Sequence, residues 1–241
     1  MENHAKYGDT IYFHGDDSLF VNLFIPSELS WPEKNLTVRQ ETKFPESDTT
    51  RLIFNCKNPT QLALKIRWPA WAEKISIRVN GKELEISGQP ESYVTVNREW
   101  QNGDRVEIQL PMKLHAEPLP GTTNIVALLY GPIVLAGELG TNGMPASVYE
   151  KDQLDLVKVP DPKVPVFVGD EHSLLKHIHA TSEPLVFQTK NLGQPNDVTL
   201  IPFYKLNHQR YSIYWNVISK ASWKTNSTKI SVAAETHLTA K

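Results

Sequence analysis

One cysteine in 241 residues, Cys56, leaves this chain no intramolecular disulfide and no multi-cysteine metal site. Charge of either sign is in no excess. With 25 Lys and Arg against 27 Asp and Glu, the net charge is −2, so there is no basic field to hold a phosphate backbone and no nucleic-acid partner is expected. No apolar run approaches the roughly 18 residues of a membrane-spanning helix, and the N-terminus has no charged-then-apolar leader. The chain therefore reads as soluble, with no membrane partner and no export signal; for a piece of a longer protein the last point carries no information. Glycine is outnumbered by proline, 12 to 17. Proline removes ladder donors and breaks helices, so this balance suits short strands joined by turns. Long apolar stripes of helical period are missing too. Hydrophobic residues at 40% and charged residues at 22% belong to an ordinary folded protein. Its length allows one large domain or two of about 100–120 residues.

What is present is alternation. Thr10–His14 and Leu19–Ile25 read as strands about a Gly15-Asp16-Asp17 turn, and Leu36–Thr42, Arg51–Asn55 and Leu62–Arg67 follow in kind. Lys74–Val79 and Lys82–Ile86 alternate on either side of Asn80-Gly81, a pair that tolerates the positive φ angles of a type I′ turn. Tyr93–Val96 and Arg105–Leu110 complete about eight strands, with turn signals spaced as in a sandwich or barrel. The texture changes near Pro111. Asn124–Tyr130 and Ile133–Ala136, around Gly131-Pro132, are continuous apolar runs expected to be buried on both faces. Residues 137–165 read as a long connection, followed by short strands at Val164–Val168, Leu185–Thr189, Val198–Tyr204 and Arg210–Trp215. The expected fold is all-β, two β-sandwich-like modules with little helix. The first spans residues 9–112 and the second 113–217, flanked by a helical stub at 1–8 and a polar tail at 218–241.

A search for chemistry finds little. Cys56 closes the apolar strand Leu52–Cys56, the setting of a small core residue and not of a thiolate. There is no Gly-x-Ser-x-Gly elbow and no glycine-rich phosphate loop. His177 and His179 would share one face of a strand but lack a third ligand at a recognisable spacing. Asp16-Asp17 and Asp152 with Asp155 sit in turn or loop contexts, where Asp hydrogen-bonds its own backbone. A glycosidase pair needs two carboxyls facing one sugar, and nothing in the spacing marks such a pair. No catalytic, cofactor-binding or metal-binding residue is therefore assigned.

The tryptophans are read separately, because sugar-binding modules stack sugar faces on exposed rings. Trp31, beside Pro32 in a polar stretch, and Trp71 are the candidate carbohydrate contacts. Trp100, just before Asn102-Gly103-Asp104, is expected to plug the end of a sandwich core with its indole N–H on a backbone acceptor.

These local patterns add up to a resemblance. Leu19-Phe20-Val21-Asn22-Leu23-Phe24-Ile25-Pro26-Ser27 and Gln40-Glu41-Thr42-Lys43-Phe44-Pro45 resemble the β region of glycoside hydrolase family 127, the β-L-arabinofuranosidase-like proteins. So do Ile66-Arg67-Trp68-Pro69-Ala70-Trp71, Val79-Asn80-Gly81, Arg98-Glu99-Trp100 with Gly103-Asp104, and Leu110-Pro111-Met112. Val126 to Val134 continues the match in the same order, and residues 150–215 resemble a C-terminal module of part of that family. Asn22, Asn80, Gly81, Trp100, Gly103 and Asp104 are the structural marks of the pattern.

The resemblance implies mostly what this chain does not carry. Family members hold catalysis on an N-terminal (α/α)₆ barrel, with a zinc-bound cysteine from a Cys-Cys pair as nucleophile and a glutamate as acid/base. Met1–Tyr7 looks like the segment just after that pair, so no catalytic residue carries over, and residues 1–8 are expected to pack poorly. The chain is then a non-catalytic accessory region of a retaining hydrolase of arabinofuranoside-type plant glycans, with the missing barrel as its partner and zinc confined to that barrel. The alternative is an independent carbohydrate-binding module whose partner is an oligosaccharide. Compartment is left open, a periplasmic or secreted parent being one option.

Overall fold

The computed structural model describes residues 2–145 and 161–225. Asp152, Asp155 and most of the polar tail lie outside the described residues. The chain divides into two compact units, Met1–Met112 and Lys113–Lys241.

The first unit opens with a short helix, α1 (Glu2–Asp9), whose residues Lys6 to Asp9 are exposed. Thr10 closes it by donating its hydroxyl to Lys6 O at 3.0 Å. Ten strands follow. They are β1 (Tyr12–Gly15), β2 (Ser18–Val21), β3 (Ser27–Trp31), β4 (Leu36–Thr42) and β5 (Thr49–Cys56). Then come β6 (Thr60–Trp68), β7 (Ser76–Val79), β8 (Lys82–Glu83), β9 (Ser92–Trp100) and β10 (Arg105–Gln109). They form a four-stranded sheet, β1-β2-β6-β9, and a six-stranded sheet, β3-β4-β5-β10-β7-β8. Alternation decides which side chains meet between them. Along β6, Leu62, Leu64, Ile66 and Trp68 point inward, and along β5 and β10 so do Leu52, Phe54, Val106 and Ile108, all in one buried cluster. Each such side chain contributes about 1.5–3 kcal/mol of apolar transfer. Asn80 at φ 52° and Gly81 at φ 80° make the two-residue turn that pairs Val79 with Lys82. The second sequence strand, drawn through Ile25, ends at Val21, because Asn22 leaves the ladder to bond backward. Its backbone N–H donates to Ile11 O at 2.9 Å and its Nδ2 to Thr10 O at 3.0 Å. One pairing has no local signature. β2 lies parallel to β6, Leu19 opposite Leu64, across about 45 residues of intervening chain.

The second unit is also β. Its strands are β11 (Leu114–Pro118), β12 (Ile125–Tyr130), β13 (Ile133–Gly140), β14 (Val166–Val168) and β15 (Ile178–Ala180). They continue with β16 (Phe187–Thr189), β17 (Gly193–Gln194), β18 (Thr199–Pro202), β19 (Arg210–Ser212) and β20 (Tyr214–Ile218). The sheet runs β15-β16-β18-β13-β12-β20-β14-β17, with β11 beside β12 and β19 beside β13. β12 and β13 are joined by Gly131-Pro132, with Gly131 at φ 55°. The expected two-faced burial of these runs is corrected here. β12 alternates buried with half-buried residues, as an antiparallel strand does, and only Leu135 to Gly137 are buried consecutively. That exception has a packing cause: a side chain at Gly137 would collide with the indole of Trp215, which is fully buried and stacked on Phe167 at 4.6 Å.

The expected single strand Arg210–Trp215 is two strands. β19 pairs with β13, Tyr211 opposite Glu138, whereas β20 pairs with β12, Trp215 opposite Val126. Ile213 lies between them, where the chain changes partner.

Candidate functional site

The sequence-marked residues of the first unit converge, and their convergence is structural. Asp104 is buried in the turn after Trp100, and its Oδ1 accepts from Asn80 Nδ2 at 2.7 Å. Its Oδ2 accepts from Gln101 N–H at 2.9 Å and faces the Arg98 guanidinium at 3.4 Å. Asn80 in turn accepts from the Arg105 N–H at 2.9 Å. Gly103, at φ 87°, donates its N–H to Phe54 O at 2.8 Å. Trp100 lies beneath with no exposed surface, stacked on Phe54 at 4.2 Å, and its indole N–H donates to Leu62 O at 3.0 Å. Two tight turns are thus tied together over a stacked aromatic pair. Asn22 serves a similar end elsewhere, its Oδ1 taking the Tyr93 hydroxyl at 2.9 Å.

The two tryptophans expected to meet sugar are placed differently. Trp31 is only 6% exposed, with the His14 ring at 4.7 Å and the Lys34 ammonium 5.9 Å from its centroid. A ring so enclosed presents no open face. Trp71 is half-buried and stacked at 6.1 Å on Phe44, whose other neighbour is Phe24 at 5.6 Å. The structure does not bring Trp31 and Trp71 together.

Titratable groups are engaged in holding the fold. Cys56 is buried, its Sγ 3.5 Å from Trp100 O. Burial raises the pKa of its thiol and the nearby Asp104 carboxylate adds to the rise, the opposite of what a nucleophile needs. His177 ends a 3₁₀ segment while His179 lies in β15, so the pair does not share a strand face. Among the described residues no group of three or more His, Cys, Asp or Glu is placed to hold a metal ion. In the second unit, Asp197 accepts from the N–H groups of Asn191, Leu192 and Gly193 and from the Thr189 hydroxyl, at 2.7 to 3.0 Å. Its partial burial works against ionisation, but these four donors outweigh it and hold its pKa below the ordinary value.

Two surfaces of the first unit remain. A polar depression of about 590 Å³ lies over β3 and β4. Glu28 and Glu41 both line it; Glu28 is exposed, whereas Glu41 is tied to Arg39 at 2.9 Å and faces Arg51 at 3.9 Å, and Arg51 also holds Glu107 at 3.0 Å. The Glu41 carboxylate oxygens are thereby directed to guanidinium groups. The second surface is the outer face of the four-stranded sheet. Phe13 lies opposite Phe20, and Phe20 opposite Lys65. Phe20 meets Tyr93 edge-on at 5.3 Å, and the Lys65 ammonium stands 4.6 Å over the Phe20 ring. Phe13 is 46% and Tyr93 39% exposed, so the face keeps an aromatic patch open.

Comparison with known proteins follows this division. Residues 18–112 match the model of the β-L-arabinofuranosidase GH127 middle domain, and residues 115–217 match DUF4986, a domain of unknown function. No curated protein matches. Among solved structures, a GH127 β-L-arabinofuranosidase from Geobacillus stearothermophilus T6 is similar at 22% identity and TM-score 0.62, over 89% of this chain and 36% of its own. A GH127 β-arabinofuranosidase is similar at 20% identity and TM-score 0.62, over 86% of this chain and 36% of its own. A further glycoside hydrolase is similar at 20% identity and TM-score 0.60, over 86% of this chain and 37% of its own. The chain thus spans little more than a third of the length of the solved structures it resembles.

Proposed function

We propose that this chain, whose residues 18–112 match the GH127 β-L-arabinofuranosidase middle domain, is a non-catalytic accessory region bracing the catalytic domain of a glycosidase of that family. The parent enzyme, on this reading, cleaves arabinofuranoside-type glycans by the retaining route with a cysteine nucleophile. The carrying observation is the outer face of the β1-β2-β6-β9 sheet. Phe13, Phe20 and Tyr93 lie together there with their rings partly open, on a sheet whose other face already fills a complete core. An open aromatic cluster of this kind is the sort of surface that a neighbouring domain covers. The partner is an (α/α)₆ catalytic barrel. A zinc ion of the family type would have to be held there, because the described residues of this chain do not fit one: Cys56 is enclosed in the core and no ligand cluster surrounds it. This chain's part is to position, and no step of the reaction is assigned to its residues.

The test has two arms. The purified chain is incubated with an aryl β-L-arabinofuranoside, and no turnover is expected. Turnover that disappears on substituting one residue of this chain would overturn the proposal. In the second arm the chain is titrated calorimetrically with the separately produced catalytic region of its parent. Phe13→Asp is expected to weaken that association at least tenfold while leaving the chain folded, and unchanged affinity would show that this face is not the contact.

A further inference from the structure

The change of partner at Ile213 creates a feature that alternation alone does not. In one straight strand, residues three apart face opposite sides. Here Tyr211 and Tyr214 are both 46% exposed and both line one cleft of about 290 Å³, because the chain bends between them. Phe203, 40% exposed and outside the cleft lining, lies 5.2 Å from the Tyr211 ring. Leu119, Pro165 and Ile213 supply apolar wall, and Asn216 supplies an amide whose Oδ1 already accepts from Asn124 Nδ2 at 2.6 Å. Among the described residues that line the cleft, none is charged.

We propose that this cleft of the second unit binds a neutral saccharide, with Tyr211 and Tyr214 as the rings against which it packs. The chemistry selects the ligand class. An anionic or cationic ligand would find no counter-charge among the described lining residues. A sugar has faces of C–H groups that suit the electron-rich face of a tyrosine ring, and edge hydroxyls that suit phenol and amide partners. The volume sits at the lower end of the roughly 300–1,000 Å³ typical of small-molecule sites, room for a terminal sugar unit and not for a large ligand. The inference does not depend on the bracing role proposed for the first unit, since its residues belong to the other one.

The test titrates the whole chain with linear arabino-oligosaccharides and xylo-oligosaccharides as neutral probes and with oligogalacturonides as the charged contrast. Saturation transfer from protein to sugar C–H protons and calorimetry provide the readouts. Neutral probes are expected to bind with a Kd on the order of 1 mM, and the charged probe not to bind. Tyr211→Ala and Tyr214→Ala should each weaken binding about tenfold. Tyr214→Phe should keep most of it, and Ile25→Ala on the first unit should change nothing. Thermal unfolding of each variant shows that the fold is kept. Absence of transfer from every neutral probe at about 10 mM overturns the proposal, as does undiminished binding in the two alanine variants. It is equally overturned if the cleft substitutions abolish self-association or binding of the catalytic region and leave saccharide binding intact.

Discussion

Replacing Asp104 tests whether the two turns of the first unit are held as one. Its carboxylate accepts from Asn80 Nδ2 at 2.7 Å and from Gln101 N–H at 2.9 Å, with only 7% of the residue exposed. Hydrogen bonds to a buried charged acceptor contribute about 1.5–3 kcal/mol each, and donors left unpaired cost about 1–3 kcal/mol. Removing the carboxylate also recovers its own desolvation cost, so the sum overstates the loss. The Arg98 pair, at 3.4 Å and with Arg98 more than a third exposed, adds little. Asp104→Ala should therefore destabilise the first unit by about 3 kcal/mol. Asn80→Ala loses the same bond and the acceptor of the Arg105 N–H, for about 2 kcal/mol.

The double variant isolates what the two share, the single Nδ2–Oδ1 bond, and should show a coupling of about 1–2 kcal/mol. Urea unfolding followed by tryptophan fluorescence suits the measurement, because Trp31, Trp68, Trp71 and Trp100 all lie in the first unit. With a slope near 1.5 kcal/mol/M for a unit of this size, Asp104→Ala should lower the midpoint by about 2 M. Additive single effects, with coupling below about 0.3 kcal/mol, would refute the idea of one linked node.

The second unit offers two further perturbations and the core of the first unit another. Gly137→Ala drives a methyl group into the Trp215 indole and should cost about 2 kcal/mol, lowering that unit's thermal midpoint by about 10 °C; an unchanged midpoint would show that the stacked Phe167–Trp215 pair yields freely. Asp197→Ala strands four donors, but at an exposed position where water replaces part of the loss, so about 1 kcal/mol is expected at neutral pH. Because the folded pKa of Asp197 lies below its unfolded value, its stabilisation is complete above the unfolded pKa of about 4 and fades as pH falls through the folded value. Wild type and Asp197→Ala should therefore converge in stability under acid titration, and a constant gap down to pH 2 would exclude this linkage. Cys56, buried with its thiol pKa raised, should react with an aromatic disulfide only as fast as the first unit opens, and stoichiometrically after denaturation; fast modification of the native chain would contradict its placement.

Local periodicity resolves only what local partners decide. The Asn80-Gly81 turn, the inward rows of β4, β5 and β6 and the buried Trp100 are legible because each depends on residues a few positions away or on strict alternation. Trp31 misleads: its neighbours Ser30, Glu33 and Lys34 are polar, yet it ends β3 pointing inward, opposite Leu36. Composition around a residue says little about the face it takes. The parallel contact of β2 with β6 leaves no mark in either segment, since strands distant in sequence choose each other through the shared core. The cleft in the second unit is hidden for a sharper reason. Alternation predicts facing only while a strand keeps one partner, and from Ser212 to Tyr214 the chain leaves β13 for β12. The period restarts at that point, so Tyr211 and Tyr214 land on the same side despite an odd spacing. In a single straight strand Tyr211, Ile213 and Trp215 would share one face and Ser212 and Tyr214 the other, so burying Trp215 would bury Tyr211 with it. Bending the strand is the cheaper solution, because it buries Trp215 and leaves both phenols in water.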